Sequence, residues 1–147
     1  MKGVGAENPQ EIRVQIDQVV QTLIASWNEH DMPAYSSCFT EDADLVNVLG
    51  MRLHGRERIQ QQHAVLHRTI FRNSALRALD STMRRPAAGV MLVHLQWEMT
   101  GHETPPGAPF GETRQGLATL VLVEQEARWL VTAFHNTDVV NLELPGT

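Results

Sequence analysis

His63 and His67 stand four positions apart in the segment running from about Arg56 to Phe71. On a helix both imidazoles therefore leave the same side, one turn from each other. Ile59, Leu66 and Ile70 share that side and make it the apolar one. Burying a polar group without a partner costs about 2–7 kcal/mol, so two histidines on one apolar stripe require a reason. Three readings are open: a wet pocket in which they act as acid–base or ligand-orienting groups, a metal site completed by His135, or plain satisfaction by a carbonyl or carboxylate of the core. The run His-Ala-Val-Leu-His lacks the glutamate of a zinc-protease helix, and no metal ligand set is assigned.

Other side chains can join them. Asn47 alternates with Leu45 and Leu49, so a strand there sets an amide, both donor and acceptor, among apolar groups. Near the C-terminus Val131, Ala133, His135 and Thr137 share one side of a strand, and Thr132, Phe134, Asn136 and Asp138 the other. An imidazole titrating near about 6.5 suits an acid or a base at cellular pH. Asn136 and Asp138 are expected on the outer side or at a subunit edge. Trp27, Tyr35, Trp97 and Met99 either wall a cavity or simply fill the core. Cys38 has no base beside it in the pattern and is not read as a nucleophile.

Composition narrows the classes of function. The 147 residues suit one domain, with 42% hydrophobic and 20% charged residues. Twelve basic against seventeen acidic groups leave a net charge of −5, which argues against general nucleic-acid binding. Residues 52–85 hold eight arginines against Glu57 and Asp80, without the interleaved aromatics of a base-stacking surface. No apolar run approaches the roughly 18 residues of a membrane span, and the first residues lack the apolar core of a signal peptide. One cysteine allows neither an internal disulfide framework nor a cysteine-based cluster. These features predict a cytoplasmic protein with no membrane partner. No Gly-x-Gly-x-x-Gly or phosphate loop follows a strand, so no cofactor is expected.

The elements that must position these groups follow from periodicity. Residues 1–8 read as a flexible tail, and 143–147 as another. Asn8-Pro9 is an N-cap and first-turn proline, followed by Ile12, Ile16, Val19, Val20, Leu23, Ile24 and Trp27 on one stripe of a long helix. Asp31 caps a short second helix through Tyr35. A strand at Leu45–Leu49 turns at Gly50, and the helix carrying the two histidines begins near Arg56. Strands follow at 75–83, 89–100, 113–124 and 128–140. Residues 101–112, rich in proline and glycine, are a long connection and a candidate lid. Helices gathered ahead of one sheet predict an α+β fold. The alternating sets of Val90–Trp97 and Ala118–Val123 are apolar on both sides, so a second subunit is expected on the face the helices leave bare.

This order, with the join Phe39-Thr-Glu-Asp-Ala-Asp-Leu-Val-Asn and the run His54-Gly-Arg-Glu-Arg-Ile59, resembles the SnoaL-like or nuclear-transport-factor-two-like superfamily. Within it, Ser26–Asp31, Val46–Met51, His63–Phe71, Val93–His102 and Ala133–Asp138 are similar to the SgcJ/EcaC group, nominally oxidoreductases. The likeness spans about Glu11 to Val140, and residues 9–142 are read as the single SnoaL-like domain. It implies a cystatin-like cone, with three N-terminal helices on the concave face of a curved, mostly antiparallel sheet and a pocket at the open end.

Within that superfamily, ketosteroid isomerases use a carboxylate base, a first-helix tyrosine and a protonated acid. Here those positions match Asn47, about Leu23 and about Gly116, so all three groups are missing. The match implies that Asn47 and His135 face the pocket. The reading is a homodimeric small-molecule-binding protein with a mostly apolar pocket. His63 and His135 are its candidate catalytic pair; Asn47, His67, Trp27, Tyr35, Trp97 and Met99 are its ligand-binding residues. The reaction would be an isomerase, cyclase or hydratase type of acid–base chemistry on a cyclic or polyketide-like metabolite. The alternatives are a non-catalytic ligand-binding or dimerisation module and a metal-dependent enzyme built on the histidines.

Overall fold

The computed structural model describes residues 8–146. Most of the expected N-terminal tail, residues 1–7, lies outside them, as does Thr147. The first helix, α1 (Pro9–Asn28), is capped by Asn8, whose Oδ1 accepts the Gln10 N–H at 2.8 Å. Its stripe Ile12, Ile16, Val20, Leu23 and Trp27 is buried as the spacing predicts. The helix gives out at His30, which takes a left-handed φ of 57°. Asp31 then caps α2 (Met32–Ser36) by accepting the Ala34 N–H at 3.1 Å.

The first strand, β1 (Phe39–Val46), begins earlier than expected and ends before Asn47. After a turn, β2 (Arg52–His54) returns antiparallel to it. Gly55, at φ 92°, leads into α3 (Arg56–Arg68), and its N–H donates to Ala43 O at 2.7 Å. The remaining strands are β3 (Ala75–Ala87), β4 (Val90–Thr100), β5 (Arg114–Gln125) and β6 (Arg128–Asp138). They form one six-stranded sheet in the order β2-β1-β6-β5-β4-β3. Only the β1–β6 pairing is parallel. The helices pack on the concave face of this curved sheet, α1 against β3 and β6, α3 against β1 and β2. This is the cystatin-like α+β architecture.

Alternation sets the core. Met91, Val93, Leu95, Trp97 and Met99 of β4 lie opposite Leu122, Leu120, Ala118, Gly116 and Arg114 of β5, and all point inward. The other parity, Val90, Leu92, Leu117, Val121 and Val123, lies half-buried on the convex face.

One irregularity decides the rest. Val121 pairs with Ala133 but Leu122 with Val131, so Thr132 has no opposite residue. A single extra residue flips every later side chain to the other face. Phe134, Asn136 and Asp138 therefore point inward, while Ala133, His135 and Thr137 lie on the convex side. This reverses the expectation for both sets beyond the bulge, while Val131 stays inward, because simple alternation from Val131 carries no sign of the bulge.

The inward Asn136 is put to use at once. Trp97 lies across β5, its ring over Gly116, and its Nε1–H donates to Asn136 Oδ1 at 2.8 Å. A Cβ at position 116 would overlap that ring, so only glycine lets the indole lie down. Replacing Gly116 with alanine should lower stability by about 1–3 kcal/mol, as overpacking does. Urea denaturation followed by tryptophan emission reads this directly. An unchanged midpoint would mean that Trp97 does not rest on β5.

Candidate functional site

Four sequence candidates converge on the helical side of the interior. Trp27 of α1 meets His67 edge-on at 4.4 Å between ring centroids and His63 at 6.1 Å. Tyr35 of α2 stacks on His63 at 5.2 Å. Phe71, just past α3, closes on Trp27 and His67 at 5.1 and 5.9 Å. Trp27 is fixed by its indole N–H, which donates to Ser74 Oγ at 3.0 Å. Opposite them the sheet contributes Trp97 and Met99 to the same buried cluster.

The two imidazoles differ in their partners. His63 Nδ1 lies 2.8 Å from Ile59 O. A carbonyl only accepts, so Nδ1 carries the hydrogen and the neutral ring keeps its lone pair on Nε2. Burial holds this ring below the usual histidine range, partly offset by the bond to Ile59. His67 Nδ1 faces His30 Nδ1 at 2.8 Å, an approach that requires one hydrogen between the two nitrogens. Burial first, then the neighbouring His30 and His63, push the His67 pKa down to about 4. His67 Nε2 is buried with no hydrogen-bond partner. Such an atom is costly to leave unmatched and is a contact point for a polar ligand group.

Two candidates go elsewhere. Asn47 sits in the turn after β1, where its Oδ1 accepts the N–H groups of Leu49 and Met51 at 3.0 and 2.9 Å. The amide oxygen is committed to shaping that turn. His135, beyond the bulge, is exposed on the convex face beside Val46 and Thr119. It is remote in direction from His63, and no group of three or more candidate metal ligands occurs among the described residues. Burial pushes the Cys38 thiol up to about 11, far from a thiolate at neutral pH.

Sequence reasoning missed three residues at the mouth of the cone. Arg114 opens β5 on the concave face and is only 6% exposed. Its guanidinium pairs with Asp138 Oδ1 at 2.9 Å and stacks 3.8 Å from the Phe110 ring centroid and 5.6 Å from that of Trp97. Phe110 belongs to the 101–113 connection. That segment is tied to the end of α3 by Glu103 N–H to Ile70 O at 2.8 Å and by the Arg72–Glu103 ion pair at 3.1 Å. A bulge cannot be read from alternation, so the Arg114–Asp138 pairing left no signal. The expected open apolar pocket is, in this structure, occupied by its own walls, for Trp27, Tyr35, Trp97 and Met99 are all buried. Two surface grooves, of about 950 and 310 Å³, lie elsewhere, beside the start of α3 and beside Cys38 and Trp129.

The SnoaL-like domain family model matches residues 20–136. No curated protein matches the chain closely enough to count as a relative. Among solved structures, an uncharacterized protein with a cystatin-like fold from Caulobacter vibrioides is 27% identical, with a TM-score of 0.81, covering 87% of this chain and 89% of that one. A domain of unknown function with a cystatin-like fold from Nostoc punctiforme is 21% identical at a TM-score of 0.75, covering 92% and 81%. A hexachlorocyclohexane dehydrochlorinase is 10% identical at 0.74, covering 94% and 97%; that likeness concerns the fold alone.

Both α3 histidines have folded-state pKa values below the ordinary value of 6.5. Between about pH 6.5 and 4 the unfolded chain therefore binds more protons than the folded one, and stability rises with pH. It should be complete above about 6.5 and fall as acid is added, with a slope approaching about 1.4 kcal/mol per pH unit for each imidazole. Urea denaturation at pH 7 and pH 5 measures the slope. His67→Phe should flatten it, and an unchanged slope would mean that His67 is not kept neutral by the fold.

Proposed function

The chain belongs to the SnoaL-like family, and we propose that it binds a cyclic or polyketide-like organic molecule against the concave face and acts on it by acid–base chemistry. The observation that carries this reading is a pair of neutral imidazoles buried among Trp27, Tyr35 and Phe71. A neutral base inside an apolar shell is ready at pH 7 without first losing a proton. His63 Nε2, with its hydrogen committed to Nδ1, is the base of this proposal. His67 supports it through its unmatched Nε2. Removal and return of one proton is the core of isomerase, cyclase and hydratase steps alike. The named dehydrochlorinase neighbour shows that the same fold can carry chemistry on a small ring. His135 and Asn47 have no part in this reading.

Two further features belong to it. The half-buried Val90, Leu92, Leu117, Val121 and Val123 favour a homodimer through the convex face. On the segments quoted above we also read the chain as a cytoplasmic member of the SgcJ/EcaC group. The filled interior favours one competing reading, a binding module that turns nothing over.

Native mass spectrometry of the freshly purified protein, with gentle desalting, tests these together. The expected spectrum is a dimer carrying an organic mass, and a clean monomer sinks the convex interface. With the identified compound as substrate, His63→Gln should reduce turnover at least about 100-fold, a typical contribution of general acid–base catalysis. The wild-type rate should stay level as pH drops through 6.5 and fall only in the more acid range where the buried imidazole takes up a proton. A compound that is retained but never converted leaves the binding module as the answer.

A further inference from the structure

Arg114 is a charged group that its one carboxylate does not satisfy. Its Nε–H and one Nη2–H both go to the same oxygen, Asp138 Oδ1, at 3.3 and 2.9 Å. A guanidinium has five N–H donors in a rigid fork. Both Nη1 hydrogens and one on Nη2 thus have no protein partner among the described residues. One hydrogen on Nη1 and one on Nη2 lie on the end of the fork, an edge that can grip a carboxylate through two parallel hydrogen bonds. A side chain 94% buried by its own fold normally has its donors matched. Here the end of the fork is left over at the mouth of the cone.

The surroundings say what kind of anion would fit. One flat apolar surface, Phe110, covers the guanidinium at 3.8 Å, and a second, Trp97, lies 5.6 Å away. Trp97 is held in place by Gly116 beneath it and by Asn136. A bare inorganic anion would use the fork and waste the partly exposed ring of Phe110. A small molecule with a planar apolar body and one carboxylate would use both.

We propose that the free end of the Arg114 fork anchors the carboxylate of a small organic acid, with the partly exposed ring of Phe110 against its apolar body and Asp138 holding the guanidinium in register. This deepens the function proposed above and rests on it for where the ligand sits, though not for any turnover. It names the ligand class as monocarboxylate and gives Arg114 a role in specificity. Asp138 both orients the arginine and competes for it, so the site selects ligands able to take the outer edge of the fork.

The test uses benzoate, its neutral counterpart benzamide, inorganic phosphate and 2-naphthol as probes, read by titration of the Trp97 indole N–H resonance. The expected result is saturable binding of benzoate, with benzamide at least about tenfold weaker and phosphate unable to displace it. Asp138→Asn, which weakens the internal competitor, should tighten benzoate severalfold. Arg114→Gln strands Asp138 and can unfold the protein. The paired variant Arg114→Met with Asp138→Asn replaces both charges by neutral groups, and it should bring the benzoate-to-benzamide ratio close to one.

If benzoate and benzamide bind alike, or the paired variant keeps the preference, the anchor is wrong while the small-molecule reading stands. The same holds if 2-naphthol binds and benzoate does not. Displacement of benzoate by phosphate at equal concentration would reduce the site to a general anion site and overturn the organic-acid assignment. If no aromatic probe binds at all, this inference and the proposed function fail together.

Discussion

Thr132, the residue without an opposite number in β6, decides which half of the strand looks inward. Everything at the mouth depends on it. Without the extra residue Asn136 and Asp138 would face out, Trp97 would lose its hydrogen-bond acceptor, and Arg114 would be buried without a counter-charge. An uncompensated buried guanidinium is among the most expensive groups a fold can hold. The bulge is therefore tied to Arg114 more closely than to its own neighbours, and neither feature is tenable without the other.

The interior shows a division of labour by depth. On the helical side the imidazoles are kept uncharged by burial, His67 also by its neighbours His30 and His63, and the polar edge of His67 is met only in part. On the sheet side a full charge is kept, but balanced by Asp138 and shielded by two rings. Between the layers these two polar sites are separated by packed rings, Trp27 and Tyr35 on one side and Trp97 on the other.

Periodicity carried most of the architecture. The stripe from Ile12 to Trp27, the caps at Asn8 and Asp31 and the four long strands all stand where spacing sets them, because local propensity and global packing agree there. The α3 histidines were legible for the same reason: a four-residue spacing on an apolar face has one geometric meaning. What stayed hidden depends on events between strands. Asn47 reads as a strand residue until the turn it closes is known. His135 reads as inward because alternation is assumed unbroken. Arg114 looks like an ordinary residue at the end of a loop, since its partner is set by register and not by sequence neighbours.

The parallel pairing of β1 with β6 has a kinetic consequence. Phe39 meets Val131, and Leu45 meets Phe134, so the sheet joins the first described strand to the last described one. A nascent chain emerging from the ribosome can pair β1 with β2, but the other edge of β1 stays unpaired until β6 has been made. The β3–β6 meander can form from neighbours in sequence, but the seam that encloses the interior closes last. Long-range closures of this kind slow folding toward milliseconds or seconds, on the order seen for non-local topologies. During that interval the apolar edge of β1 is open to other chains. Early termination, or a delay in completing the last strand, would therefore expose this protein to aggregation more than its small size suggests.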